Sequence, residues 1–338
     1  MARSFVGRLI PLALAGAGLW YAQRKLRESA YSFRDKVVLI AGGTRGLGLV
    51  MARQLLDEGA QVAICGRDQA TLDRAAEQLR GRGRVLAIPC DIGEQTQVQE
   101  LVHQVTDTFG HIDVLINNAG VISVGPLEAM TLEDFELAMR VHFWGPLYTT
   151  IAALPTLSRR RGRIVNISSI GGKMPVPHLT PYCASKFALV GLSESLRAEL
   201  SDAGITVTTV APGLMRTGSP RNALFKGQHR KEYAWFVLGD SLPGLSMNAE
   251  EAARQVLDAC RRGDAEIVLS LPAKLATMAY GLAPGAVTRA LSLVDRMLPG
   301  FGGIGSEWAK GSQSESAVTA SPLTALTREA AIRNNEVG

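Results

Sequence analysis

The sequence has few of the residues that build metal sites, disulfide frameworks and nucleic-acid surfaces. Its four cysteines lie far apart without a C-x-x-C pair, and its five histidines are scattered without ligand spacing. These absences argue against a metal site or a disulfide scaffold, so we expect no metal. Aromatic residues make up only 6% of the chain. Nucleic-acid surfaces interleave positive charge with stacking aromatic residues, so we expect no nucleic-acid partner either.

Charges of both signs are nearly balanced, and the formal net charge is +5. The positive excess is concentrated at residues 24–27, 159–163 and 226–231. Solvated loops are the ordinary explanation of such stretches, and an anionic membrane surface is the alternative partner. With 338 residues, of which 46% are hydrophobic, the chain can bury one large α/β core. We therefore predict one domain over residues 31–271 with extensions at both ends.

An apolar run over residues 5–22 precedes the basic cluster at residues 24–27. Its uninterrupted part, residues 9–22, is short for a spanning helix of about 20 residues, although Arg8 can snorkel and lengthen it. An interfacial helix and a signal peptide are the alternatives. We predict an uncleaved membrane anchor within residues 1–30. Because the basic excess follows the run, the rest of the chain is expected on the cytoplasmic side.

From Lys36 onward, apolar strands alternate with helical patterns. Strands are predicted at residues 37–41, 61–65, 85–90, 114–116, 164–168, 205–210 and 266–269. Helices are predicted at 46–58, 69–80, 94–109, 131–153, 182–202 and 248–262, the last beginning with an Asn248–Glu251 capping box. Such alternation is typical of a parallel sheet, and right-handed crossovers make it a doubly wound, Rossmann-like α/β fold of about seven strands.

Three segments depart from this alternation. Residues 213–247 contain glycines, prolines and isolated aromatic residues, which is typical of a long lid or a disordered loop. Residues 272–310 are predicted to form an amphipathic helical extension, with core or oligomer packing as its commonest meaning and membrane contact as the second. Its apolar positions at helical spacing are Val287, Ala290, Leu291, Val294 and Leu298. Residues 311–338 have no strong period, so disorder is predicted.

A glycine-rich turn, Gly42 to Gly48, joins the first predicted strand to the first predicted helix. Glycines there let the backbone approach a pyrophosphate, and the helix N-terminus supplies amide donors and a favourable dipole. A plain strand-to-helix turn is the alternative. The literal dinucleotide fingerprint occurs instead at residues 300–305, where it follows a helix and precedes a polar tail. Context therefore favours the first turn as the nucleotide site.

The end of the second strand distinguishes the two nicotinamide cofactors. An acidic residue there binds the free ribose hydroxyl of NAD, whereas an arginine accepts the additional phosphate of NADP. In this chain the residue is Arg67, and Arg45 in the glycine turn is a second cation that can reach the same phosphate. The sequence predicts NADP, with an ordinary surface arginine as the alternative.

A second chemical pattern pairs Tyr182 with Lys186 on one helix face, and Ser169 precedes them at the end of a predicted strand. A phenol with a pKa of about 10 is a poor acid or base near neutrality unless a neighbouring positive charge favours the phenolate. Lys186 can supply that charge, while Ser169 holds a substrate oxygen. The pattern predicts a hydride-transfer site. A solvated tyrosine–lysine pair is the alternative, and Tyr21 and Lys25 have the same spacing without this context.

Together these residues resemble the short-chain dehydrogenase/reductase family across residues 35–270. The glycine turn fits its G-x-x-x-G-x-G motif, residues 117–120 fit the motif that stabilises the central sheet, and residues 212–217 fit its P-G-x-x-x-T stretch beside the nicotinamide. Asp91 fits the acidic residue near the adenine. The cofactor contacts implied by the resemblance are Gly42, Thr44, Arg45, Gly46, Leu47, Gly48, Arg67, Asp91, Ile92, Asn118, Ala119, Gly120, Tyr182, Lys186, Pro212, Gly213 and Thr217.

The resemblance also assigns roles: Tyr182 is the acid/base, Lys186 lowers its pKa and binds the ribose, and Ser169 orients the substrate oxygen. One residue departs from the family pattern, because His142 stands where the family usually has a catalytic asparagine. It is either a titrating member of the proton relay or a buried packing residue. The resemblance also implies a homo-oligomer, a dimer or tetramer formed through the helices predicted at 131–153 and 181–202.

The sequence therefore predicts an NADP-dependent oxidoreductase that reduces a ketone or aldehyde on an apolar substrate at a membrane surface. Oxidation of an alcohol is the alternative direction, since the same residues serve both ways. A nucleotide-sensing protein without turnover is the alternative class.

Overall fold

The protein, in a computed structural model that describes residues 31–242 and 244–337, is built around one parallel sheet. Its seven strands are β1 (Val37–Ala41), β2 (Gln61–Gly66), β3 (Val85–Pro89), β4 (Val114–Asn117), β5 (Arg163–Ile167), β6 (Thr206–Pro212) and β7 (Glu266–Leu269). They lie in the order β7-β6-β5-β4-β1-β2-β3, and all neighbours are parallel. The predicted doubly wound sheet is confirmed. The strand order reverses between β1 and β4, which places a crevice at their carboxyl ends.

Eleven helices accompany the sheet in the described part of the chain. They are α1 (Gly46–Asp57), α2 (Gln69–Leu79), α3 (Gln95–Phe109), α4 (Leu132–Met139), α5 (Gly145–Arg160), α6 (Thr180–Glu199), α7 (His229–Ser241), α8 (Ala249–Arg262), α9 (Leu271–Leu282), α10 (Pro284–Asp295) and α11 (Ala325–Arg333). Asn248 caps α8 through the Glu250 N–H, which replaces the predicted capping box with Glu251.

The central strands are buried on both faces, which explains why they read as continuous apolar runs. In β1, Val38 and Ile40 pack with α1, α2 and α8, whereas Val37, Leu39 and Ala41 pack with α3 and α5. Successive side chains of a strand point to opposite faces, so one strand contributes to both hydrophobic layers. This double burial holds the carboxyl ends of β1, β4 and β5 at one edge of the sheet.

The helix predicted at residues 131–153 is interrupted in the structure. A π-helical turn at Arg140–Trp144 separates α4 from α5, and Thr131 and Asp134 form a capping box at the start of α4. Such turns inside helices frequently mark functional sites. This one carries His142, which is fully buried.

Residues 213–247 do not form the single irregular loop that was predicted. They contain α7 together with the two-residue strands Met215–Arg216, Leu224–Phe225 and Met247–Asn248. The isolated aromatic residues explain the difference, because Phe225 packs edge-to-face with Tyr233 at 5.3 Å and both rings are buried. A small apolar cluster thus orders a segment that has no periodic pattern.

The extension after residue 271 is helical, as its spacing indicates, but it consists of α9 and α10 rather than one helix. Pro284 begins the second helix, which ends at Asp295, before the predicted Leu298. No residue of α10 is buried. The part of the chain that the structure describes therefore offers no core contact for this amphipathic face.

The prediction of disorder for residues 311–338 was wrong for residues 311–337. This stretch contains short 3₁₀ turns and α11, in which Ala330 and Ala331 are each 1% exposed. A β-carbon added at Gly218 would lie 2.5 Å from the Ala331 β-carbon. Small residues allow this close contact, and composition alone cannot distinguish it from disorder.

The predicted membrane anchor at residues 5–22 lies outside the described residues. Within residues 31–242 and 244–337, no helix combines the length and the hydrophobicity needed to span a bilayer.

Candidate active site

The glycine turn begins directly after β1, at the reversal of the strand order. Gly42 has a φ of +82°, and a β-carbon there would lie 2.6 Å from the Ala119 α-carbon. A β-carbon at Gly48 would lie 2.1 Å from the Gly42 carbonyl oxygen, which also accepts a hydrogen bond from Asn118 Nδ2 at 2.7 Å. Only glycine fits these two positions, so the first turn of α1 packs tightly against the chain after β4.

Two arginines stand along the same edge, and each lies near a carboxylate. The Arg67 guanidinium is 3.6 Å from Asp91 Oδ2, and both side chains are partly exposed. Arg45 Nε is 3.5 Å from Glu336 Oε2, whose side chain is buried. The helix N-terminus, its glycine turn and two cations are a donor set that fits a dinucleotide phosphate.

The C-terminal residues lie directly on this turn. The Gly46 N–H donates to the Asn334 carbonyl oxygen at 2.9 Å, and Asn335 Nδ2 donates to the Thr44 carbonyl oxygen at 2.9 Å. A β-carbon at Gly46 would lie 2.7 Å from Glu336 Oε1. Sequence reasoning missed these residues, because nothing in a short polar stretch indicates its partner.

On the other side of the crevice, Ser169 and Tyr182 lie together. Ser169 follows β5, and its hydroxyl accepts a hydrogen bond from the Gly171 N–H at 3.0 Å. Burial raises the pKa of the Tyr182 phenol to about 12, although a hydrogen bond from Ser169 lowers it in part. The phenol is therefore protonated at neutral pH in this state.

Lys186 lies on the same face of α6, and its side chain is almost wholly buried. Its Nζ donates to the Ile167 carbonyl oxygen at 2.8 Å and lies 5.7 Å from the centroid of the Tyr182 ring. Burial lowers the pKa of the ammonium to about 7. An anionic ligand beside Lys186 would favour the charged form, which in turn favours ionisation of the phenol.

His142 contacts chain atoms through both ring nitrogens. Its Nε2 accepts from the Val121 N–H at 3.1 Å, and its Nδ1 lies 2.8 Å from the Ser185 hydroxyl. The ring packs edge-to-face on Tyr182 at 5.3 Å, and burial holds its pKa well below 6.5. These contacts favour the packing alternative, in which a neutral ring supports Tyr182 from behind. The relay role stays a prediction.

Beneath the site, a buried chain of hydrogen bonds connects three strands. Asn117 Nδ2 donates to Asn166 Oδ1 at 2.9 Å, and Asn166 Nδ2 donates to the Ser193 hydroxyl at 2.9 Å. Thr149 donates to Asn117 Oδ1 at 2.6 Å, and Thr209 donates to Ser193 at 2.7 Å. Apart from Asn117, sequence reasoning missed these residues. The polar positions inside otherwise apolar β5 and β6 are the signal that could have found them.

The remaining predicted residues border the crevice. Pro212 ends β6, and Thr217 is buried, with its hydroxyl 3.0 Å from that of Ser219. Asp91 and Ile92 directly follow Cys90 at the carboxyl end of β3, where Asp91 accepts from the Gly93 N–H at 2.9 Å. The structure thus brings the predicted catalytic and nucleotide-contacting residues to one edge of the sheet.

This arrangement suits proton transfer at a carbonyl or hydroxyl oxygen. A nicotinamide dinucleotide, when bound, supplies or accepts the hydride. With such a cofactor present, the geometry would suit Ser169 to orient the substrate oxygen, the Tyr182 hydroxyl to exchange a proton, and Lys186 to tune the phenol. In the part of the chain that the structure describes, no cluster of three or more His, Cys, Asp or Glu residues is arranged to hold a metal ion.

Comparisons with known proteins agree with this geometry. The sequence profile of the short chain dehydrogenase family matches residues 36–224. Dehydrogenase/reductase SDR family member 7B of Bos taurus is 32% identical over 296 residues, which cover 84% of this chain and 89% of that protein. A putative ketoacyl reductase of the granaticin polyketide synthase from Streptomyces violaceoruber is 37% identical over 185 residues, covering 54% and 68%.

Solved structures show the same likeness. A short-chain dehydrogenase from Streptomyces avermitilis superposes with a TM-score of 0.65 at 28% identity, covering 78% of this chain and 99% of that one. A short-chain type dehydrogenase/reductase from Mycobacterium marinum gives a TM-score of 0.61 at 28% identity, covering 71% and 95%. The chain belongs to the short-chain dehydrogenase/reductase family, whose members use a nicotinamide dinucleotide.

Proposed function

We propose that the protein is an NADP-dependent oxidoreductase that reduces a ketone or aldehyde carbonyl on an apolar substrate. The observation that carries this proposal is the meeting of Ser169, Tyr182 and Lys186 at the same edge of the sheet as the glycine turn. A phenol held against a hydroxyl, with a desolvated ammonium on the next helical turn, is suited to proton donation at a carbonyl oxygen. A protein that only sensed a nucleotide would have no use for this set.

The apolar character of the substrate is supported by the residues packed around Tyr182. A hydrophobic cluster beside it includes Val124, Leu179, Phe225, Tyr233 and Val237, with Val176, Trp235 and Phe236 partly buried against it. Ligand sites commonly combine an apolar wall with a few placed polar groups. Here the polar groups are the Ser169 and Tyr182 hydroxyls.

The choice of NADP over NAD is supported by charge. Arg45 and Arg67 lie at the edge where the adenine ribose is bound in folds of this type, and an arginine there accepts the additional phosphate. Asp91 partly neutralises Arg67 at 3.6 Å, but its carboxylate lies after the third strand rather than at the end of the second.

The test is a panel of ketosteroids, retinal, long-chain 3-keto lipids and small ketones, each incubated with the purified protein and NADPH or NADH. We expect NADPH consumption with at least one apolar carbonyl and far less with the small ketones. The corresponding alcohols with NADP⁺ measure the reverse direction. If neither cofactor is consumed or formed with any member, while a nicotinamide dinucleotide still binds, the protein is a nucleotide-binding member without turnover.

We further propose that residues 5–22 hold the protein at a membrane, with the catalytic domain on the cytoplasmic side. The support is the apolar run and the basic cluster that follows it. Fractionation after low-salt lysis without detergent measures this. Recovery of the full-length protein in the soluble fraction would contradict it.

We also propose a homo-oligomer formed through the α5 and α6 faces. Trp144 in the turn before α5, Ile151 on α5 and Phe187 on α6 are large apolar side chains that are 44%, 56% and 41% exposed, and apolar side chains grouped on one surface mark interaction sites. Sedimentation velocity of the wild type and of Ile151→Asp should show a smaller species for the variant. A monomeric wild type would reject the proposal.

A further inference from the structure

Residues 325–337, the C-terminal segment, lie across the glycine turn and are anchored on both sides of it. Arg53 donates to the Arg333 carbonyl oxygen at 2.6 Å, and Asn335 Nδ2 donates to the carbonyl oxygens of Thr44 at 2.9 Å and Thr71 at 3.0 Å. The Arg74 guanidinium donates to Asn335 Oδ1 at 3.0 Å. The segment therefore spans from the glycine turn to the first turn of α2.

The contacts of this segment use the groups that a pyrophosphate would need. The Gly46 N–H, at the N-terminus of α1, donates to the Asn334 carbonyl oxygen. The Glu336 carboxylate lies above the same glycine and 3.5 Å from Arg45 Nε. A carboxylate at the positive end of a helix dipole beside an arginine is chemically similar to a bound phosphate. Its charge would also repel an incoming phosphate.

We propose that the C-terminal segment is an intramolecular competitor of the dinucleotide, which closes the glycine turn when docked and opens it when displaced. This inference rests on the proposed function, because it takes the glycine turn as the cofactor site. The alternative is a strap that docks on top of the bound cofactor and retains it. The direct use of the Gly46 N–H favours competition, because one amide cannot serve the segment and a pyrophosphate fully at once.

The segment is built to detach at its end while its base stays in place. The base packs through Ala330 and Ala331, and the Thr327 hydroxyl lies 2.7 Å from that of Ser241. At the end, Glu336 is 5% exposed and is held by Asn222 Nδ2 at 2.7 Å. Burial of the Glu336 carboxylate costs desolvation free energy, which destabilises the docked state relative to the open state. A phosphate ligand therefore displaces the segment more easily.

The test is to titrate NADPH, without a carbonyl substrate, into the full-length wild type and into Asn335→Ala/Glu336→Ala, following nucleotide fluorescence. Apparent affinity scales with the fraction of molecules whose site is open, so we expect the variant to bind about tenfold more tightly. Glu336→Gln, which keeps the side-chain size, should give a smaller gain. Glu329→Ala removes the same charge from an exposed position on α11 and should match the wild type.

Amide hydrogen exchange of residues 330–337 provides a second readout. We expect exchange there to become faster when NADPH is added to the wild type, because the ligand displaces the segment. Unchanged or weaker NADPH binding in the double variant, or slower exchange on NADPH addition, would overturn the competitor proposal and, in the second case, indicate a strap. Absence of NADPH and NADH binding in every variant would instead reject the proposed function, and this inference with it.

Discussion

The crevice at the carboxyl edge of the sheet has a catalytic half and a nucleotide half. They differ in whether another part of the chain occupies their functional groups. In the catalytic half, Ser169, Tyr182 and Lys186 are largely buried and hydrogen-bonded, and a buried polar network lies beneath them. In the nucleotide half, the glycine turn is equally well formed, yet its Gly46 N–H and Arg45 have partners from the C-terminal segment. The chemistry is thus prearranged, whereas access to the cofactor site depends on a segment that can move.

The two halves also differ in how they handle charge. The catalytic half buries the Lys186 ammonium, which donates a hydrogen bond to the Ile167 carbonyl oxygen, and burial lowers its pKa to about 7. The nucleotide half balances each arginine with a nearby carboxylate. An unpaired buried charge is costly for folding, and such a cost is tolerated where function needs it.

The largest effect is expected for Tyr182→Phe, which removes the acid without changing the ring. Because general acid–base catalysis contributes about 10²- to 10⁴-fold, kcat should fall at least a hundredfold while NADPH affinity stays near the wild-type value. Steady-state kinetics and a fluorescence titration measure the two quantities. A near-normal kcat would show that Tyr182 is not the acid. The first half of the crevice could then no longer be described as a prearranged catalytic site.

A cofactor effect of roughly ten- to a hundredfold is expected for Arg67→Asp, alone or with Arg45→Ala. The variant loses a charge-assisted phosphate contact and gains a repulsion, so NADPH binding should weaken far more than NADH binding. Titration of both cofactors against the same variant checks this. Equal losses would show that Arg67 does not face the ribose phosphate.

The buried ammonium predicts a pH-dependent change in stability for Lys186→Met. The unfolded lysine has a pKa of about 10.4, whereas the folded value is about 7, so between these pH values only the unfolded chain keeps the proton. The wild type carries the full cost of the buried charge below pH 7 and sheds it as the pH rises. The difference in Tm between the wild type and the variant should therefore shift by roughly 5 °C in favour of the wild type between pH 7 and 9.5.

Lys231→Met is the matched control, because Lys231 is exposed on α7. Its Tm difference from the wild type should not change with pH. A pH-independent difference for Lys186→Met as well would mean that Lys186 keeps its ordinary pKa in the folded protein.

The smallest effect on chemistry is expected for His142→Asn. Burial holds the pKa of the ring well below 6.5, so the ring stays neutral near neutral pH and the pH profile of kcat between pH 7 and 9 should not move. The loss of the contacts to Val121 and Ser185 should lower stability by about 1–3 kcal/mol. A shifted limb in the profile would instead place His142 in the proton relay.

Much of the fold was predictable because its signals are local. The seven strands read as buried apolar runs, and the glycine turn and the Tyr182–Lys186 pair are recognisable within a few residues of chain. The limits of such signals appear at α7 and α11. The first is held by isolated aromatic residues that find one another only in space, and the second by alanines that fit against Gly218.

The sequence by itself determined the sheet, the position of the glycine turn and the identity of the candidate catalytic side chains, because backbone periodicity and residue chemistry are written along the chain. Only the tertiary structure decided the environment of those side chains. The depressed pKa of Lys186, the neutral ring of His142 and the contact between Glu336 and Gly46 all depend on burial and on partners distant in sequence. Solvation and long-range contacts are properties of the packed molecule, so no local pattern records them.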